Sequence, residues 1–320
     1  MSIERLIRFA GEREMPPAEA VERARLAAEA AWRRGLEQAP ARTRRRYLWV
    51  PLACAAALGA LVLVLQPGTR RATAPLVAVA QVVTLQGDAT LQGTAGALTR
   101  GATVFAGTTL VTGDGRLAAA VPGGLSLRMD RHTRLRCVDR EHLVLLEGSL
   151  YVDSGGLNSG PALSIRTPAG EVSHVGTQFQ VQVSGQTTRV RVREGRVALL
   201  PEAGAQQRVI AAGDALEVSG SEERWQHGLA SFGDDWEWAT TLAQPLIIEN
   251  RPLAEFLTWL AREHGWQLRY GDDALQQRTL DIRLHGSFDG LDTPSMLERI
   301  GLVTGVPLAV RDGSLWVGAK

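Results

Sequence analysis

Residues 167–181 read TPAGEVSHVGTQFQV, and their chemistry sets the fold of the central part of the chain. Pro168 presets φ and Gly170 is free of a Cβ, so Thr167-Pro168-Ala169-Gly170 makes a turn. Gly176, followed by Thr177, permits a close backbone approach inside an extended segment. Phe179 and Val181 then alternate with Gln178, Gln180 and Gln182, the period-2 pattern of a strand with one face buried. The same pattern continues outward. VAQVVTLQGDATL, ALTRGATVFAGTTLVTG, GRLAAAVPGGLSLRM, TRLRCV, EHLVLLEGSLYVDSG, TRVRVREGRVALLP and QRVIAAGDALEVS are short alternating runs bounded by Gly, Asp or Pro. Val190 and Val192 followed by Glu194-Gly195 read as strand–turn–strand. Many short strands at this spacing imply an all-β sandwich, barrel or solenoid-like stack over residues 76–220. Gly101, Gly107, Gly113 and Gly115 point to stacked short turns without a strict repeat.

Upstream of the strands lies YLWVPLACAAALGALVLVL, Tyr47 to Leu65, nineteen residues without a charge. About 20 helical residues cross a hydrocarbon core, so the run reads as one transmembrane helix. Tyr47 and Trp49 stand where an interfacial aromatic belt belongs, and Pro51 falls in the first turn, where no helical bond is lost. A buried helix of a soluble core is the competing reading, but such helices carry a polar stripe. A secretory signal is disfavoured because the apolar run starts 46 residues in and ends well before Ala78-Val79-Ala80, the nearest cleavage-like site. Arg42, Arg44, Arg45 and Arg46 abut the N-terminal side, against Arg70 and Arg71 a few residues past the other end. The positive-inside rule therefore puts residues 1–46 in the cytoplasm and the remainder outside it.

Residues 1–46 read as two short helices. Ile3, Leu6, Ile7 and Ala10 follow helical spacing after Ser2, a capping residue; Pro16-Pro17 open a second helix with Val21, Ala24, Ala28, Ala31, Trp32 and Leu36 on one face. So short and Ala-rich a segment buries little alone and needs a partner, unless it is a solvated juxtamembrane tail. Residues 66–75 are a polar Pro/Gly linker. Residues 221–244 are a connector with Trp225, Trp236 and Trp238, aromatics expected to pack onto a neighbouring domain, with a binding platform as the alternative.

Residues 245–320 read as a C-terminal α+β domain. LIIE (246–249) is a strand. Pro252 opens a helix with Leu253, Phe256, Leu257 and Leu260 on one face, stopped near Gly265. Trp266, Leu268 and Tyr270 alternate, as do Leu280, Ile282 and Leu284. Thr293-Pro294 starts a helix with Met296, Leu297, Ile300 and Val303, ended near Gly305. Leu308 and Val310 turn through Asp312-Gly313 into Leu315 and Val317. The order is β-α-β-β-α-β-β, with two helices on one face of a small sheet and strand edges open to recognition by strand addition.

The 320 residues carry 35 Lys+Arg against 34 Asp+Glu, and Lys320 is the one lysine. This balance lacks the basic excess that direct nucleic-acid binding needs. At 45% hydrophobic residues the chain can bury a core, which excludes wholesale disorder. Two cysteines exclude a disulfide scaffold. Cys54 lies in the expected span and Cys137 outside it, so they cannot bridge; burial in a strand is expected for Cys137. His132, His142, His174, His227, His264 and His285 lack metal-ligand spacing. Ser173 and His174, beside Glu171, point to opposite faces of a strand and make no triad. No phosphate-cradling Gly loop is present. No catalytic, metal or cofactor residues are expected, and the chain does not read as an enzyme.

Two blocks of these motifs resemble known families. Thr167-Pro168-Ala169-Gly170 with Val175-Gly176-Thr177-Gln178-Phe179-Gln180-Val181, RGATVFAGTTLVTGDGRLAA and LEGSLYVDSG resemble the FecR domain. IENRPLAEFLTWLAREHGWQLRYGDDAL, together with the residues from there to Lys320, resembles the short N-terminal (STN) domain of secretins and TonB-dependent transporters. The resemblance implies a single-pass inner-membrane signal-transducing regulator. Its cytoplasmic segment would bind an extracytoplasmic-function (ECF) sigma factor as an anti-sigma factor, with Ile3, Leu6, Ile7, Val21 and Trp32 as the candidate surface. Its periplasmic part would sense a TonB-dependent outer-membrane receptor's signalling domain or another periplasmic protein, in cell-surface signalling that includes iron transport regulation. Residues 1–46 lack the His-x3-Cys-x2-Cys pattern of zinc anti-sigma factors. The competing class is a membrane-anchored periplasmic scaffold with no transcriptional role. The expected organisation is thus multidomain and membrane-anchored: 1–46 α-helical cytoplasmic, 47–65 transmembrane, 66–75 linker, 76–220 all-β, 221–244 connector and 245–320 STN-like α+β.

Overall fold

Three long strands organise the molecule, and each changes neighbours halfway along. In a computed structural model the described residues are 77–93, 96–155, 163–201, 206–244, 246–288 and 290–318. The expected cytoplasmic segment, membrane helix and linker lie outside them. Among the described residues no helix is long and apolar enough to cross a membrane. The described residues fall in one compact unit spanning 72–320.

The first fourteen strands are β1 (Ala78–Gln86), β2 (Ala89–Leu91), β3 (Thr103–Phe105), β4 (Thr109–Thr112), β5 (Arg116–Val121), β6 (Leu125–Met129), β7 (Arg134–Cys137), β8 (His142–Asp153), β9 (Ser164–Thr167), β10 (Gly170–Ser184), β11 (Thr187–Leu200), β12 (Arg208–Ala211), β13 (Ala215–Ser219) and β14 (Glu222–Gln226). All belong to one hydrogen-bonded sheet. The first part of β8 pairs with β7 and, in parallel, with β9; its second part pairs with β6 and β10. β10 pairs first with β9 and then with β8, while β11 runs beside it throughout. β11 pairs first with β13 and then with β12. The sheet therefore folds over along β8, β10 and β11. One layer holds β3, β1, β5, β6, β13 and β14 with the near halves of the long strands; the other holds β2, β4, β7, β9 and β12 with the far halves.

Glycine sits at each crossing: Gly148 (φ 88°) in β8, Gly176 (φ 57°) in β10 and Gly195 (φ 79°) in β11. A Cβ at Gly148 would run into the backbone of Thr133, and one at Gly195 would lie 2.6 Å from Thr177 Cγ2. L side chains rarely adopt positive φ, so both positions require glycine twice over, for conformation and for space. This corrects the expected turn at Glu194-Gly195. The chain does not reverse there; it kinks inside a continuous strand, because β10 pairs with β11 on both sides of the irregularity.

Both layers contribute to one core. Leu127, Leu150, Phe179 and Val190 from the first meet Leu135, Leu143, Ile165 and Leu199 from the second, all buried in a single cluster. Fully burying each such side chain is worth about 1.5–3 kcal/mol.

The expected connector contains β14, which extends the first layer beside β13, and a helix, α1 (Asp234–Thr240). Beyond it come β15 (Arg251–Pro252), α2 (Leu253–His264), β16 (Gln267–Tyr270), α3 (Asp273–Asp281), β17 (Arg283–Leu284), α4 (Thr293–Thr304), β18 (Leu308–Arg311) and β19 (Ser314–Val317). β16 is parallel to β19, which is antiparallel to β18; β15 and β17 form a separate pair. Asp312 (φ 46°) and Gly313 (φ 68°) make the β18–β19 turn with positive φ at both centres, the hairpin type that matches strand twist. Leu253, Phe256, Leu257 and Leu260 of α2 pack with Leu297 and Ile300 of α4 and with Leu315 and Val317 in a second core.

Two expectations for this region are corrected. Leu246–Glu249 is not a strand: no neighbouring edge pairs with it, and Arg251 N–H instead closes back onto the Ile248 carbonyl (2.9 Å). Leu280, Ile282 and Leu284 do not alternate along one strand. Asp272 accepts a hydrogen bond from the Leu275 amide (2.7 Å) and caps α3, which carries Leu280 in its last turn. The order thus has three helices after α1, not two.

Candidate functional site

Along β6, β8, β10 and β11 the outer face of the first layer carries polar residues at every second position, and one row crosses these four strands in register. Arg128 stands opposite Tyr151, Tyr151 opposite Gln180, and Gln180 opposite Arg191. An open sheet face would leave these in water. Here α1 and the C-terminal end of α2 cover it, and Arg128, Tyr151, Arg191 and Arg193 are buried.

The cover is held by charge and by aromatic rings. Arg128 Nη2 lies 2.8 Å from Glu263 Oε2, and its Nη1 donates to the Ala239 carbonyl (2.8 Å). Arg262 Nη1 meets Asp153 Oδ1 at 2.6 Å, and Gln178 Nε2 donates to the same carboxylate at 3.0 Å. Arg193 donates to Ser231 O (2.5 Å), Glu263 O (3.0 Å) and Tyr151 Oη (3.2 Å). Arg191 pairs with Asp235 at 2.8 Å, and its guanidinium carbon sits 4.4 Å from the Trp236 ring centroid, a cation–π distance. Trp236 and Trp238 meet Tyr151 edge-on, with centroids 5.9 and 6.5 Å away.

Burial and pairing compete in this seam. Desolvation pulls on Arg128, but the attraction of Glu263, Tyr151 and Asp153 wins and holds it above its ordinary pKa. Desolvation pushes the Glu263 carboxyl up, with Arg128 opposing. Burial raises the Tyr151 hydroxyl to about 12. Removing one partner of such a pair strands the other charge out of water.

The sequence-derived fold residues sit on the opposite side of the first layer or in the second. Thr167 Oγ1 donates to Gly170 O (2.9 Å), closing the β9–β10 turn through Pro168. Thr177 is fully buried at the kink beside Gly176, its amide donating to Ser154 Oγ (2.8 Å), and Phe179 lies in the main core. Tyr47, Trp49, Leu65, Ile3, Leu6, Ile7, Val21 and Trp32 lie outside the described residues. Cys137 is free and buried on β7, its thiol pushed up to about 12 by desolvation. His132, His142, His227 and His285 each face a single carboxylate, from Asp114, Asp139, Asp214 and Glu249. Among the described residues no group of His, Cys, Asp or Glu could hold a metal ion.

Beside the seam opens a cleft of about 1340 Å³, bounded by α1, residues 246–249, α2, the start of α4 and β18. Its walls include Phe256, Trp259, Phe288 and Met296, and Arg193, Glu263 and His264 join it to the seam. His264 stacks on Trp266 (4.1 Å) and lies 3.1 Å from Thr293 Oγ1. Burial first, and the Arg193 charge second, lower its pKa to about 4. Sequence reading missed both seam and cleft. The seam's local signal was the alternation Arg189, Arg191, Arg193, one polar face too regular to be accidental.

A family model, FecR protein, matches residues 108–198, under a third of the chain. That stretch contains β8 and β10 and nearly all of β11, with the glycine kinks at 148, 176 and 195. Two crystal structures of a candidate anti-sigma factor from Parabacteroides distasonis align at 16% identity, with a TM-score of 0.34, covering 66% of this chain and 97% of theirs. A search of curated proteins returns no match.

Proposed function

We propose that the chain is a single-pass inner-membrane regulator of an extracytoplasmic-function sigma factor, with residues 1–46 in the cytoplasm and residues 66–320 in the periplasm. The observation that carries this reading is the FecR family match over the kinked strands. The uncharged run Tyr47–Leu65 behind four clustered arginines supports the topology. Ile3, Leu6, Ile7, Val21 and Trp32 form the sigma-factor surface, and the STN-like region from residue 245 receives a periplasmic protein such as the signalling domain of a TonB-dependent receptor. The seam gives that reception a route. Arg128–Glu263 and Asp153–Arg262 tie α2 to the sheet, so a partner that shifts α2 acts on the FecR-like layer. Because one rigid helix transmits poorly by itself, the signal crosses by regulated proteolysis or by partner-driven ordering of residues 1–46.

The test is affinity purification of the full chain in detergent from cells that express a candidate sigma factor. Co-purification is expected, and Leu6→Asp or Trp32→Asp should abolish it. A sigma factor that is never retained leaves the anchored-scaffold class standing instead, and one retained equally by both variants overturns the assigned surface. Pulse-chase blotting under inducing conditions separates the two routes: a shortened N-terminal fragment indicates proteolysis, and a full-length band throughout excludes it.

A further inference from the structure

Three features of the cleft define what fits it. The first is an open strand edge. Leu308, Ala309 and Val310 all line the cleft, although consecutive strand residues face opposite sides. A wall that touches all three is met at the edge of β18, which is the outer strand in the order β16-β19-β18. Gly318 N–H donates to Pro307 O (2.7 Å) across the hairpin. Antiparallel alternation then assigns the β18–β19 hydrogen bonds to Ala309 and Arg311 and turns the N–H and C=O of Leu308 and Val310 toward the open edge.

The second feature is an apolar surface of a kind water does not favour. Trp259, Phe288 and Met296, each half-buried, line the cleft, and Ile247 on its wall is 76% exposed. The third is charge. Asp234, Glu237, Glu249, Asp292 and Glu298 line the cleft and are exposed. Hydrogen bonds from His285 and the Gly286 amide hold Glu249 below its ordinary pKa, and those from Ser295 do the same for Asp292. Among the described lining residues Arg193 is the one Lys or Arg, and it is engaged with Ser231, Tyr151 and Glu263.

We propose that the β18 edge and this acid-lined cleft dock an extended segment of a partner polypeptide as an added strand, one in which apolar side chains alternate with Lys or Arg. The edge supplies main-chain hydrogen bonds, the apolar wall takes one face of the added strand, and the carboxylates select cationic residues on the other. A segment bearing Asp or Glu meets like charge and is rejected. The inference rests on the periplasmic half of the proposed function, for which it names the partner's chemistry, and it involves no residue of the segment 1–46.

The test uses the full chain in detergent micelles and two fluorescein-labelled decapeptides, one alternating Lys with Val and Ile, the other carrying Glu at each Lys position. Fluorescence anisotropy should give a dissociation constant about tenfold or more lower for the lysine peptide, weakening as salt screens the rim. Hydrogen exchange should show new protection of the Leu308 and Val310 amides. The exposed pair Glu237→Lys/Glu298→Lys should weaken the lysine peptide by about tenfold at an unchanged melting temperature. Val310→Pro, which removes one edge donor, should abolish protection at Leu308. Equal affinity for both peptides, protection elsewhere than β18, or indifference to the charge reversal would overturn the proposal. So would concentration-dependent protection of β18 without peptide, which would assign the edge to a second copy of this chain. None of these outcomes touches sigma-factor retention, so the two proposals fail separately.

Discussion

Cys137 and His264 offer two direct readings of burial. A thiol fully buried on β7 and pushed up to about 12 is almost wholly protonated near neutral pH. Native chain should therefore leave Cys137 unmodified by a thiol-reactive dye, and denaturant should release it. His264 gives a pH dependence with a definite sign. Its folded pKa, about 4, lies below its ordinary 6.5, so the unfolded chain takes the proton first as pH falls. The contribution is complete above pH 6.5 and is lost toward pH 4; thermal unfolding at pH 7 and pH 5 should show a larger drop for the native chain than for His264→Gln. The ion pair behaves differently. Glu263→Ala should cost about 3–5 kcal/mol in chemical denaturation, whereas Arg128→Met with Glu263→Met should come out near neutral or better. The burial of Cys137 is legible in the alternation of TRLRCV. Glu263 is not, although it lies ten residues after Leu253 on the apolar face of α2. A carboxylate there needs a buried cation, and the cation is Arg128, 135 positions away, which no local pattern names.

The kinked strands and the capped helices were visible in the sequence to different degrees. The β9–β10 turn and the strand after it follow from Pro168, Gly170 and the alternation from Phe179. So do the limits of α2 and α4, set by Pro252, Gly265, Pro294 and Gly305. Glu194-Gly195 misleads because a positive-φ glycine serves a turn and a bulge equally well; what decides is whether the following segment finds its partner on the same strand, and β10 is long enough to provide it. Gly195→Ala should cost about 1–3 kcal/mol, since the left-handed backbone and the contact with Thr177 both resist a methyl. α3 was hidden by parity: Leu280, Ile282 and Leu284 satisfy a strand template while Asp272 supplies the helix cap. Asp272→Ala should lower stability by about 1 kcal/mol and reduce helical signal in far-ultraviolet dichroism.

The described part of the chain lies in one compact unit, and the seam spans sequence separations that a linker would otherwise leave loose. Arg128 of β6, Asp153 of β8 and Arg193 of β11 all reach α2, and Trp236 and Trp238 fill the space between. The three tryptophans of the expected connector foretold packing but not its site, since an aromatic shows that it must be buried without showing against what. The cleft was equally hidden, because its walls come from five separate segments. Residues 66–75 are the expected link from this body to the expected membrane helix at 47–65, and on that topology the proposed function depends. Cys137 is too deeply buried to report on it, whereas Gln186, at the exposed β10–β11 turn, is accessible. The decisive measurement is labelling of Gln186→Cys in intact spheroplasts with a membrane-impermeant maleimide, the parent chain serving as blank. Labelling before lysis is expected if residues 66–320 lie in the periplasm; labelling only after the inner membrane is broken would contradict it.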